Sequence, residues 1–186
     1  MKTLQNSQKI KHIGDFYKKI KETHFEYFDF WLHHTFLHWD FFLSTVLAVI
    51  PWIVWIKYRK KESTHRLLFA GFFVLIISSW FDFWGTMYGL WYYTGKVLPS
   101  MPSFIPWDFC ILPVTIMFLI QYKPKTSPFL KGFIFSCATS FIGEPVFRWI
   151  GIYVMVKWSF LYSVPIYFLI YLAADRLSRV KNFAEI

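Results

Sequence analysis

A chain of 186 residues with 56% hydrophobic and 24% aromatic residues, and only 17% charged ones, lies far from the usage of soluble domains. The formal net charge of +9 would suit nucleic acid, but the basic residues fall in short clusters between apolar runs and form no continuous face, which excludes that class and points to lipid and to membrane orientation. The composition predicts an all-α polytopic membrane helix bundle.

Residues 1–39 are basic. Apolar Ile13, Phe16, Tyr17, Ile20, His24, Tyr27, Phe28 and Trp31 recur at helical spacing, with Lys9, Lys11, Lys18, Lys19 and Lys21 among the other positions. That is the pattern of an amphipathic helix at a lipid interface, or of one packed on the protein's own loops. Between Lys2 and Lys21 there is no apolar signal-peptide core, so the first membrane span is expected to target the protein. His34 and His38 share a helix face and could contribute to a zinc site, but no third ligand is fixed beside them. They are weak metal candidates, an interfacial role among Trp31 and Trp39 competes, and no metal or cofactor is expected.

Five apolar runs follow, at 40–56, 67–84, 105–122, 129–147 and 158–174, each close to the ~20 residues that cross hydrocarbon. A short cytoplasmic tail, 175–186, closes the chain. Cys110 and Cys137 each lie inside a run without paired spacing and read as small core residues. Gly85 and Gly89 form a small-xxx-small pattern suited to close helix approach. Trp91, Tyr92 and Tyr93 read as an interface belt, ahead of a connection stiffened by Pro99, Pro102 and Pro106.

Lys and Arg counts set the orientation. The loop 57–66 carries Lys57, Arg59, Lys60, Lys61 and Arg66; the next connection carries only Lys96; the third carries Lys123, Lys125 and Lys131; the tail carries Arg176, Arg179 and Lys181. This alternation places the tail in the cytoplasm and the N-terminus outside a plasma membrane. The N-terminal lysines oppose that placement weakly, because residues 22–39 contain no Lys or Arg and charges beyond ~15–20 residues from a span count little. Anionic lipids are the expected partners of the basic N-terminal segment and of loop 57–66, with a homo-oligomer or another membrane protein open.

An internal repeat is suggested by spacing. Asp82, Gly89 and Trp91 match Glu144, Gly151 and Tyr153 in an acid, a glycine seven residues later and an aromatic nine later, while Trp107-x-Phe109 parallels Trp158-x-Phe160. A two-helix hairpin repeated in parallel would produce this, and so would chance in so aromatic a chain.

The informative residues are the acids. Asp82 ends the second run, Asp108 opens the third, and Glu144 lies ~22 Å along the fourth, so all three approach the outer leaflet, where only Arg148, one turn beyond Glu144, could neutralise one of them. A charge in hydrocarbon costs at least ~2.5–3.5 kcal/mol and ordinarily faces the bundle interior, so either protons or a bound cation are implied. Three readings stand. The acids lock helices together through an i,i+4 Glu144–Arg148 pair and hydrogen bonds to aromatic neighbours. Alternatively Asp82, Asp108, Glu144, Arg148, Tyr88 and Trp107, with Trp84 and Trp149, wall an outward cavity for a proton, cation or amphipathic cation. Or a carboxyl donates a proton to a lipid substrate, although no nucleophile–base pair or phosphate loop accompanies it. A cavity reaching all three acids would favour the last two.

Ile105-Pro-Trp-Asp-Phe with Leu112-Pro-Val114, Ser140-Phe-Ile-Gly-Glu-Pro145, Gly151-Ile-Tyr153 and Trp158 with Tyr162-Ser-x-Pro-Ile-Tyr167 resemble an uncharacterised family of small multi-pass membrane proteins of spore-forming Gram-positive bacteria. The resemblance covers about residues 51–171 and carries no catalytic role with it. A fainter likeness is to the membrane domain of carotenoid lycopene cyclases, where Pro106-Trp-Asp-Phe109 offers one carboxylate in place of a paired acid. It implies, as an alternative to binding or transport, an enzyme acting on an isoprenoid or other lipid.

Overall fold

The computed structural model describes residues 4–180. Helix α1 (Ser7–His34) is capped by Asn6, whose side chain accepts the Gln8 N–H at 2.8 Å. It is exposed along almost its whole length and meets the rest of the protein through its last turn, where the buried Trp31 indole donates to the Lys96 carbonyl at 2.7 Å. The bundle follows: α2 (Trp39–Tyr58), α3 (Thr64–Met87), a π-helical turn Pro106–Ile111 that runs into α4 (Leu112–Gln121), then α5 (Pro128–Ala138), a second π turn Thr139–Gly143 and α6 (Glu144–Ile150), and finally α7 (Phe160–Ser178).

Three stretches are long and apolar enough to cross a membrane: Trp39–Tyr58, Lys61–Met87 and Phe160–Ser178. The predicted runs 105–122 and 129–147 are helical too, but each is interrupted by a π turn, and Pro106–Gln121 is a shorter apolar helix. The tail predicted from residue 175 begins later, since α7 continues to Ser178; its residues after 180 lie outside the described residues, as does Lys2. Large apolar side chains such as Phe72, Ile76, Trp80, Ile134 and Leu169 are exposed on the helix faces, while Leu67, Val74, Leu112, Ile116, Met117 and Tyr171 fill the interior. Outward Phe, Ile and Trp over a closely packed centre is what a lipid-facing bundle needs.

The two ends of the bundle are distinct. At one, Ser44 near the start of α2 donates to the Gly95 carbonyl at 2.6 Å, beside the connections 88–105 and 151–159. At the other, the Lys60 N–H donates to Gln121 Oε1 at 3.0 Å and Arg179 Nη2 to the Pro124 carbonyl at 3.3 Å, so Arg59, Lys60, Lys61, Lys123, Lys125 and Arg179 gather there.

A two-stranded antiparallel ribbon joins the halves of the bundle at the first end, β1 (Trp91–Tyr93) against β2 (Tyr153–Met155). Its register is Trp91↔Met155, Tyr92↔Val154 and Tyr93↔Tyr153. Under the sequence repeat Trp91 corresponds to Tyr153 and Tyr92 to Val154, so the observed pairing maps onto itself when the halves are exchanged. A parallel repeat of the two halves would produce this register. Each helix also ends in the same way, with Gly89 at φ +64° and Gly151 at φ +88°. The left-handed conformation favours glycine. Gly151→Ala is expected to cost about 1–2 kcal/mol in thermal unfolding of the detergent-solubilised protein, since nothing crowds its Cβ position and backbone strain alone acts.

Candidate functional site

Prolines set the register of the acid-bearing segments. Pro113 has no N–H for the Phe109 carbonyl, and Pro145 none for Phe141. In the first case the helix widens ahead of the proline, with the Leu112 N–H reaching back to the Trp107 carbonyl, and in the second the Glu144 N–H reaches the Thr139 carbonyl. The carbonyls released around Pro113 are taken by side chains from other helices: Trp52 Nε1 donates to Phe109 O at 3.1 Å and Ser78 Oγ to Asp108 O at 3.3 Å. Each π turn inserts a residue and re-aims the side chains around it. Asp108 lies inside the first, and Glu144 immediately follows the second.

Asp82, Asp108 and Glu144 are 4%, 3% and 6% exposed, so all three carboxyls are inside the protein. Asp82 Oδ1 accepts from Trp91 Nε1 and Tyr93 Oη, both at 2.7 Å, and its Oδ2 accepts the Phe104 N–H at 2.8 Å. The same N–H reaches Asp108 Oδ2 at 3.2 Å, so two carboxyls converge on one donor. Burial, reinforced by the negative charge of Asp82 and Asp108, pushes the Tyr93 phenol well above its ordinary range and keeps it a donor. Lys96 is buried and its ammonium donates to the Met101 and Pro102 carbonyls at 2.7 and 2.9 Å. Burial lowers its pKa while the charges of Asp82 and Asp108 raise it.

Glu144 differs from this pair: its Oε2 is buried with no hydrogen-bond partner in the protein. Ser163 and Tyr167 of α7 line the same cavity as Glu144. Each hydroxyl already accepts an indole N–H, Ser163 from Trp158 at 2.9 Å and Tyr167 from Trp107 at 3.1 Å, which leaves its own proton free to donate. All three acids line one cavity, with Trp91, Phe104, Trp107, Phe147, Tyr153 and Trp158 among its walls. Its volume is small, about 70 Å³, and it opens to the surface. The cavity is therefore narrow, suited to a small or threadlike occupant.

No family model, curated protein or solved structure matches the chain.

The cavity brings together Asp82, Asp108, Glu144 and Trp107 of the predicted site, and leaves out Tyr88 and Arg148. Tyr88 is 68% exposed and stacks on Trp84, with ring centroids 5.6 Å apart. Trp84 lies two residues from Asp82, about 200° around the helix, so it cannot share the inward face; Trp149 likewise faces outward. Arg148 makes no ion pair with Glu144, the correction to the predicted i,i+4 pair. Its guanidinium sits over the Phe160 ring at 6.0 Å while the Glu144 side chain turns inward. Gly85 and Gly89 do not admit another helix: Trp91 packs on Gly85, and Gly89 makes the turn. Trp91 and Tyr93, expected at an interface, point inward, and only Tyr92 between them is half exposed, the alternation of a strand. His34 and His38 each turn a ring Nδ1 to a local backbone carbonyl, of Phe30 and Phe36, and no group of three potential metal ligands forms among the described residues. Lys96, Ser163 and Tyr167 were missed by the sequence reading. Lys96 had one signal, as the sole basic residue in the connection between two aromatic runs.

Proposed function

We propose that this is a five-span plasma-membrane protein, N-terminus outside, that binds a proton, a cation or a small amphipathic cation in the aromatic cavity at its outer end, as a sensor or transporter. One observation carries the reading: three buried carboxyls from separate segments line one cavity, and one of them has an oxygen that no protein group satisfies. A purely structural cluster would have each acid enclosed by its own partners. The segregation of basic side chains to the opposite end supports the orientation, and the helical stretches 106–121 and 128–150 supply the two remaining spans. Asp82, Asp108 and Glu144 are the ligand or proton groups, the tryptophan faces attract a cation, and Lys96 sets the charge of the acid pair. The exposed basic α1 lies on anionic lipid, anchored by Trp31.

A second reading, acid catalysis on an isoprenoid or other lipid, is favoured by the convergence of Asp82 and Asp108 on one N–H, since two carboxyls so placed readily hold a proton between them. A lipid profile of a deletion strain identical to that of its parent would remove it.

The binding test is thermal stability of the purified chain across pH, divalent metals and hydrophobic ammonium ions. At a ligand concentration 100-fold above Kd, wild type should gain about 2.7 kcal/mol, a gain abolished in Asp108→Asn and Glu144→Gln. If no ligand shifts wild type and both variants only melt earlier, the acids are structural.

A further inference from the structure

The face of α7 that meets α5 is polar at every fourth residue: Ser163, Tyr167, Tyr171, Asp175 and Arg179. Opposite it, running the other way, Ser136, Ser140 and Glu144 repeat the same spacing. The faces are in contact: the Phe135 ring lies 5.9 Å from that of Tyr171 and 6.3 Å from that of Tyr167, and a Cβ on Gly132 would be 3.0 Å from Tyr171 Cδ1. Among the described residues four buried side-chain polar atoms have no partner in the protein, and three of them lie on this seam: Ser140 Oγ, Glu144 Oε2 and Tyr171 Oη. Ser140 and Tyr171 are fully buried. Rungs four residues apart rise ~6 Å, too far for a direct hydrogen bond and close to the span of two hydrogen bonds through one water.

We infer that the seam between the 136–144 stretch and α7 is a water-bridged proton path from Glu144 to Asp175, which connects the cavity to the basic end of the bundle. This rests on the reading of Glu144 as a proton or cation group of the site. The path is ~12 Å long, from the level of Tyr167 to Asp175. At its far end Asp175 is buried and held by Arg179, with Nε 2.7 Å from Oδ2 and Nη2 2.9 Å from Oδ1, while the Lys131 ammonium is bound to the Leu119 and Tyr122 carbonyls. Arg179 is half exposed and opens this end to solvent. A proton entering at one end displaces one along the chain of hydroxyls and waters, and one leaves at the other, so nothing else is consumed.

The test places the full chain in vesicles of neutral lipid with a trapped pH dye and drives protons with a valinomycin–potassium gradient. Wild type should change the internal pH faster than empty vesicles, and Tyr171→Phe, which keeps the ring and removes the rung, should slow this about tenfold, as should Ser140→Ala. A wild-type rate equal to that of empty vesicles, or both variants running at the wild-type rate, overturns the path. Neither residue lines the cavity, so the thermal shift with a bound ammonium ion should persist in both variants. That shift without proton flux rejects the path alone; its absence in wild type rejects the binding reading.

Discussion

Asp82→Ala should be the most damaging single change in the bundle, costing about 3–5 kcal/mol in chemical unfolding of the solubilised protein. The residue holds three donors at once, the Trp91 indole, the Tyr93 phenol and the Phe104 N–H. Truncation leaves the Trp91 and Tyr93 donors without an acceptor in a place water enters poorly, at roughly 1–3 kcal/mol each, and leaves the Phe104 N–H only its longer 3.2 Å bond to Asp108. These donors come from β1 and from the connection ahead of Asp108, so the loss reaches beyond α3: the ribbon end and the start of the π turn lose their common anchor. Asp82→Asn separates shape from charge. Its carbonyl can still accept from Trp91 and Tyr93, but its amide would oppose the Phe104 N–H, so a cost between those of wild type and alanine is expected. An asparagine variant as unstable as the alanine one would mean that the charge, and not the acceptor count, holds this corner.

Periodicity made the bundle legible, and the cost of burying charge made the acids legible. A carboxylate in an apolar run has to turn inward, and that argument alone places Asp82, Asp108 and Glu144 in one interior. The acid, glycine and aromatic spacing suggested a repeat or chance, and the ribbon register is one that a repeat would produce, while the π turns at 106–111 and 139–143 have no counterpart in α7 and α3. What escaped reading depends on angle more than on residue type. Tyr88 and Trp84 look like cavity walls in a string of aromatics, yet the helix turns them away from Asp82. Arg148 has the right spacing for Glu144 but sits in the last turn of α6, where an exposed guanidinium over Phe160 avoids the desolvation that pairing with the buried acid would demand. The π turns are invisible in a hydropathy pattern, because Pro113 and Pro145 announce a missing hydrogen bond without saying whether the helix bends or widens. Lys96 reads in the sequence as a topological charge, and only the fold of its connection buries it, with its ammonium on the Met101 and Pro102 carbonyls.

Gly85→Ala is expected to open the same corner from the other side. A Cβ at this position would lie 2.0 Å from Trp91 Cζ2 and 2.1 Å from Cη2. An indole is rigid, so the ring must leave as a body, and its N–H leaves Asp82 Oδ1 with it. Overpacking of this kind costs about 1–3 kcal/mol, and the broken hydrogen bond to a buried carboxyl adds roughly another 1.5–3 kcal/mol. Gly143→Ala provides the graded control, because its Cβ would meet only the edge of Trp107, at 2.9 Å from Cη2, and a small ring shift suffices. Unfolding midpoints should therefore fall in the order wild type, Gly143→Ala, Gly85→Ala, with a change in tryptophan fluorescence largest in the last. Combining Gly85→Ala with Trp91→Val removes the ring that clashes, so the double variant should be less unstable than the sum of its two single changes. Strict additivity would show that Gly85 serves the helix itself and not the seat of Trp91. The lack of side chain at Gly85 is, on this account, what lets an aromatic from β1 reach under α3 and bind the acid, joining the ribbon to the cavity wall.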